Sequence, residues 1–128
     1  MGIFLQVVMI TDSQIEVGRT VDINVEITNV SPNPLYVMAT AQVKTQELFP
    51  RTWELLFNNE IKPLSPGSTG VFYQGFPMPD KDVLVTYAGW YENASGVFIK
   101  DDEWSQYIVS IPLPVATFSN LSASYQRG

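Results

Sequence analysis

The chain has 128 residues, 45% apolar and 12% aromatic, which is enough for one domain with a sizeable core and too few for two independent ones. Only 16% are charged, against roughly 25% in an average soluble domain, so Thr, Ser, Asn, Gln and exposed aromatics must cover much of the surface. The net charge is −6 and the seven basic residues are scattered singly from Arg19 to Arg127, which argues against nucleic acid as a partner. Cysteine and histidine are both absent, closing Ser-His-Asp and Cys-His catalysis and the usual zinc sites.

Residues 3–10 are apolar, but they lack a basic leader and are interrupted by Gln6, so they read as a first strand rather than a signal peptide. No apolar run reaches the roughly 20 residues of a membrane span, and membrane insertion is not expected. Residues 21–28 alternate without a fault: Val21, Ile23, Val25 and Ile27 on one side, Asp22, Asn24, Glu26 and Thr28 on the other. That is the pattern of a strand with one dry and one wet face. Asn29-Val30-Ser31-Pro32-Asn33-Pro34 is turn chemistry, and the run over 35–44 places Leu35, Val37, Ala39, Ala41 and Val43 on one face. These two strands are expected to pair as a hairpin.

Over 45–62 the pattern weakens; Trp53, Leu55, Leu56 and Phe57 suit either a short strand or a single helical turn over the sandwich edge. Pro63-Leu64-Ser65-Pro66-Gly67-Ser68 predicts a turn, 69–76 a strand, and Pro77-Met78-Pro79-Asp80 another turn. Residues 83–92 are apolar on both faces, as in a central strand. Asn93-Ala94-Ser95-Gly96 turns the chain back into a paired strand over 103–111, and 116–126 form a last strand carrying Phe118 and Tyr125. Short strands with turns every 8–12 residues and no helical period predict an all-β, immunoglobulin-like antiparallel β-sandwich of about seven to nine strands. It is expected to span 1–128, with 1–12 and 115–128 as terminal strands available for assembly.

Residues 17–31, a glycine, an alternating strand and then Asn29-Val30-Ser31, resemble the opening of CARDB-type (cell-adhesion-related) immunoglobulin-like domains. Leu64-Ser65-Pro66-Gly67-Ser68 is similar to the L-x-P-G turn of those domains. Residues 82–91 followed by Asp101-Asp102-Glu103 resemble the late hairpin of related accessory modules. The resemblance covers roughly Ile15 to Ile111 and implies a fold and an adhesion or assembly role, with no catalytic residues to carry over. Such domains usually recur inside long secreted proteins. A short sandwich that reads as stand-alone and leaderless is similar instead to virion surface proteins, such as capsid decoration proteins and tail accessory domains.

Gly67-Ser68-Thr69-Gly70 lacks the Gly-Lys-Ser/Thr ending of a phosphate loop and reads as a turn. Glu92 with Asp101, Asp102 or Glu103 offers a carboxylate pair of the glycosidase kind, and the same acids with Asp80 and Asp82 offer oxygen ligands for calcium. Solvated loop charge is the simpler reading of both sets. Asn93-Ala94-Ser95 and Asn120-Leu121-Ser122 match the glycosylation sequon but read as turn and strand residues. Tyr87, Trp90, Tyr91, Phe98, Trp104 and Tyr107 crowd one hairpin. Core packing is the default for them, and alternation sends Trp90 and Tyr91 to opposite faces.

The sequence therefore predicts a non-enzymatic structural module with no cofactor and no metal. It would contact protein partners, namely capsid or tail subunits or its own copies in a homo-oligomer. The candidate interaction residues are Trp90, Tyr91, Phe98, Trp104, Phe118 and Tyr125. Its expected place is the virion, assembled in the host cytoplasm. The alternative is a carbohydrate-binding or adhesion module, extracellular or at the cell surface, with a glycan as ligand.

Overall fold

In the computed structural model, residues 2–112 are described. The strands are β1 (Leu5–Ile10), β2 (Gln14–Glu16), β3 (Thr20–Asn29), β4 (Leu35–Thr45), β5 (Thr52–Leu55), β6 (Lys62–Leu64), β7 (Thr69–Pro77), β8 (Val83–Glu92) and β9 (Phe98–Ile111). The faultless alternation over 21–28 becomes β3, whose Val21, Ile23, Val25 and Ile27 are all fully buried. The inner face of β4 supplies Val37, Ala39, Ala41 and Val43, and β8 supplies Val83 and Val85. These side chains and Phe72, Phe76 and Ile108 form one core between two layers.

One layer has the order β1-β3-β7, and the other has β2-β9-β8-β4-β5 with β6 also paired to β4. All pairings are antiparallel except β2 with β9. The N-terminal stretch thus begins as the edge of one layer and ends as the edge of the other. This is an immunoglobulin-like β-sandwich.

The expected hairpin between β3 and β4 does not form, since β3 pairs with β1 and β7, and β4 with β5, β6 and β8. The connection crosses from one layer to the other, so the two dry faces meet through the core rather than edge to edge. The cause is polar and local. Asn29 is fully buried, and its Nδ2 donates to the carbonyls of Asn33 (2.8 Å) and Leu64 (3.0 Å). Its Oδ1 accepts from the N–H (2.9 Å) and hydroxyl (2.7 Å) of Ser31. Its backbone N–H donates to Ser68 O, and its carbonyl accepts from Gly67 N at 2.7 Å. Gly67 sits at φ +83°, where a side chain would be strained. Two of the three motifs that carry the CARDB-type resemblance, 17–31 and 64–68, are therefore bonded to each other.

The ambiguous 45–62 region contains both a short strand, β5, and a single turn at Phe57–Asn59. The turn is left-handed, with φ values of 51°, 59° and 54°. Left-handed backbone costs about 1–2 kcal/mol per non-glycine residue. Burial of Phe57 in the core and its N–H bond to Gln74 Oε1 (2.8 Å) hold the turn in place. At the late hairpin β9 begins at Phe98, five residues before the expected 103, because an extra residue at Asp101 breaks the alternation. Gly89, opposite Asp102, allows Val7 of β1 to lie close across the sandwich; a Cβ there would meet Val7 Cγ2 at 2.5 Å. The predicted strand over 116–126, with Phe118, Tyr125 and the second sequon, lies outside the described residues.

Asn29→Ala leaves the Leu64 carbonyl and the Ser31 N–H without their buried partner and should destabilise the fold by about 2–4 kcal/mol in chemical denaturation. Asn29→Asp should cost more at neutral pH, because it sets an acceptor-only carboxylate against two carbonyl oxygens.

Candidate functional site

The structure disperses the aromatic hairpin. Tyr91 points inward and packs edge-on against Phe4, with centroids 4.9 Å apart. Trp90 faces outward, but its indole N–H donates to Thr40 Oγ1 (2.8 Å) and Lys100 Nζ lies 5.7 Å from its ring centroid. Phe98 opens β9 opposite Glu92 and is half-buried. Trp104 is 49% exposed and donates to Asp102 Oδ2 at 3.0 Å. Beside it, Gln6, Val7, Val8, Tyr87 and Asp102 line a shallow cleft between β1 and β9. Burial there raises the Tyr87 phenol above its ordinary value, opposed by a hydrogen bond to the Met9 backbone and reinforced by the charge of Asp102. Trp104 and Tyr107 lie on opposite faces of β9, so the hairpin offers no flat row of rings.

Of the acids proposed for catalysis or calcium, Glu92 ends β8 opposite Phe98, and the other five have structural partners. Asp101 sits within β9 at the bulge, and its Oδ2 accepts from the N–H groups of Phe4 (3.1 Å) and Leu5 (2.8 Å), tying β1 to the opposite layer. Asp102 is buried, Glu103 pairs with Lys100 at 2.9 Å, and Asp82 accepts from Ser110 N at 2.8 Å. Asp80 pairs with Arg51 at 3.4 Å. The picture of solvated loop charge therefore fails for Asp101 and Asp102, which lie inside a strand where the extra residue turns the Asp101 carboxylate toward β1. Among the described residues no three acidic side chains converge to hold a metal ion.

Among the described residues, the most exposed apolar pair lies where sequence periodicity was weakest, in the loop between β4 and β5. Leu48 and Phe49 are 86% and 83% exposed, followed by Pro50. The base of this loop is braced. Buried Thr45 donates through its hydroxyl to Glu47 Oε2 (2.5 Å), and its N–H bonds to Arg51 O (2.9 Å). Arg51 N in turn donates to Thr45 Oγ1 (2.8 Å), and its guanidinium meets Glu47 at 3.0 Å and Asp80 at 3.4 Å. Gln46 N anchors to Asp82 O at 2.9 Å. The hydroxyl of Thr45 and then Arg51 hold the Glu47 carboxyl below its ordinary value, and Glu47 raises that of Arg51. The signal available in the sequence was an apolar pair between Glu47 and Arg51, four residues apart, with a proline closing the tip.

Further apolar surface surrounds the opposite end of β4, where Pro34, Leu35, Tyr36, Pro63, Leu64 and Ser65 line an open groove of about 380 Å³. The outer edge of β9 is covered by β2 only over Val109–Ile111.

Comparison with known proteins agrees at the level of fold. No protein-family model and no curated protein matches the chain. Among solved structures, the sporulation control protein Spo0M of Bacillus subtilis superposes with a TM-score of 0.55 at 15% identity, over 92% of this chain and 56% of that one. The chain thus spans little more than half the length of Spo0M. A Niemann-Pick type C2 protein from the Japanese carpenter ant gives 0.53 at 11% identity, over 87% and 96% of the two chains. A cohesin module from a Clostridium perfringens family 33 glycoside hydrolase gives 0.52 at 9%, over 86% and 98%. The likeness shared with these proteins is the β-sandwich.

Two outcomes follow from this geometry. Asp101→Ala should cost about 2 kcal/mol and speed amide exchange at Phe4 and Leu5, whereas Asp101→Asn, which keeps an acceptor, should cost less. Because Glu47 is lowered in the folded state, its bracing is present above its unfolded value and is lost as pH falls through the lowered one. Amide exchange at Arg51 should therefore accelerate relative to core amides on acidification below the ordinary carboxylate range, and Glu47→Gln should abolish that step.

Proposed function

We propose that this chain is a non-enzymatic assembly module that docks on a neighbouring protein subunit, most specifically as a virion surface protein of the capsid decoration or tail accessory kind. The observation that supports this reading is the braced Leu48–Phe49 tip. Singly exposed apolar residues are ordinary on a protein surface, but two adjacent ones held almost wholly in water by a hydrogen-bonded loop base form a preorganised apolar contact. A tip fixed before binding loses little conformational freedom on docking, which favours affinity from a small area. The low charge content and the bulged, acid-stapled edge of β9 suit a protein that makes side-chain contacts through selected sites. The glycan-binding alternative needs a flat aromatic platform, and the tethering of Trp90 and inward turn of Tyr91 weigh against it.

The reading is tested by co-sedimentation of the purified chain with particles from its source. Leu48→Ser combined with Phe49→Ser should leave unfolding stability within about 0.5 kcal/mol, since neither side chain is buried. It should also weaken particle binding at least tenfold. Undiminished binding by the double variant, or no particle binding by the wild type, would overturn the proposal.

A further inference from the structure

Building on the reading of the loop as a contact, we propose that the Leu48–Phe49 tip docks into a second copy of this chain, in the groove between the start of β4 and β6. None of the side chains lining that groove is charged. Leu35 lies opposite Leu64 and Tyr36 opposite Pro63 in the β4–β6 pairing. Asn29 holds the groove open in one shape by bonding the carbonyls of Asn33 and Leu64 just behind it. Pro34 and Pro63 carry no N–H, so that part of the wall asks for no hydrogen-bond acceptor from its occupant. The occupant it fits is short, apolar, uncharged at its tip and already ordered. Leu48-Phe49-Pro50 meets each condition.

Position decides between self-filling and docking on a copy. The tip follows Thr45 at one end of β4 and the groove begins at Leu35 at the other. An 11-residue strand at about 3.3 Å per residue separates them by roughly 30 Å, beyond the reach of the short braced loop. A molecule cannot fill its own groove, but it presents both halves of the contact to its neighbours. Copies carrying a charge of −6 repel one another, so contact is favoured where charge is locally balanced. At the tip Glu47 is offset by Arg51, and the groove lining is neutral. Because tip and groove lie at opposite ends of β4, copies can join head-to-tail in a row or two copies can exchange both contacts about a two-fold axis, and either arrangement raises the mass with concentration. Two side chains cover far less than the roughly 1,600 Å² of a standard interface, so the isolated contact is weak and fills only at high concentration.

The test is sedimentation velocity of the full chain up to about 1 mM, the range in which so small an interface is populated. Wild type should rise in mean mass with concentration, while Phe49→Ser (tip lost) and Tyr36→Glu (groove charged) should each remain monomeric and retain the wild-type melting profile. An equimolar mixture of the two variants should associate again but stop at a 1:1 dimer, because only one tip and one groove remain intact. A wild type that stays monomeric, a mass increase that survives Phe49→Ser, or a mixture that does not associate overturns the proposal. If the wild type is monomeric while the tip variant still loses particle binding, the self-contact falls and the assembly reading stands. If the tip affects neither, both fall.

Discussion

One buried amide organises this sandwich. A polar side chain placed in a core costs several kcal/mol unless each of its hydrogen-bonding atoms finds a partner. The Asn29 side chain meets that demand through two separate stretches, the Ser31–Asn33 crossing and the end of β6 at Leu64, while its backbone N–H and carbonyl bond a third, the turn at Gly67–Ser68. Hydrophobic burial drives β3 and β4 together but is non-directional and would accept several connections between them. The amide selects the one that sends the chain across the layers. The edge of β4 that receives β6, and with it the groove at Leu35 and Tyr36, depends on that selection.

The same logic recurs with charge at two further points. Asp101 holds the first strand to the opposite layer, and Asp82 holds the end of β9 through Ser110. In a chain with so few charged residues, these two acids accept from backbone N–H groups, so acidity here is partly an internal fastening. Glu47 and Asp80, through Arg51, fasten a loop whose apolar tip has no fastening function of its own.

Where side-chain alternation is uninterrupted, the sequence is a faithful guide to structure. The β3 strand, the doubly apolar β8 and the glycine–proline turns around Pro66 and Asn93 all follow directly from residue type, and they suffice to establish a β-sandwich. Pairing was less legible. Adjacent strands are the natural guess for a hairpin, and nothing in the alternation of residues 21–28 and 35–44 reveals that their dry faces oppose rather than adjoin. The bulge at Asp101 hid the first part of β9 and disguised two strand acids as loop acids. Of the candidate contact residues, aromatic content singled out Tyr91, which packs inward on Phe4, and Trp90, which faces outward but is tethered to Thr40, and passed over Leu48 and Phe49. Exposure depends on what the rest of the chain covers, and a loop without periodicity carries no local mark of it. Phe118 and Tyr125 lie outside the described residues.

The split of the N-terminal stretch between the layers also has a mechanical meaning. Because β2 runs parallel to β9, tension applied between the start and the end of the described chain pulls these two strands in opposite directions along their common axis. The bonds between them are loaded together in shear instead of being unzipped one at a time. The β1–β3 register is loaded in the same sense, and the Asp101 bonds to Phe4 and Leu5 add a further tie at the start of the first strand. A chain so arranged resists extension along its length through its two outermost strands, before any load reaches the core.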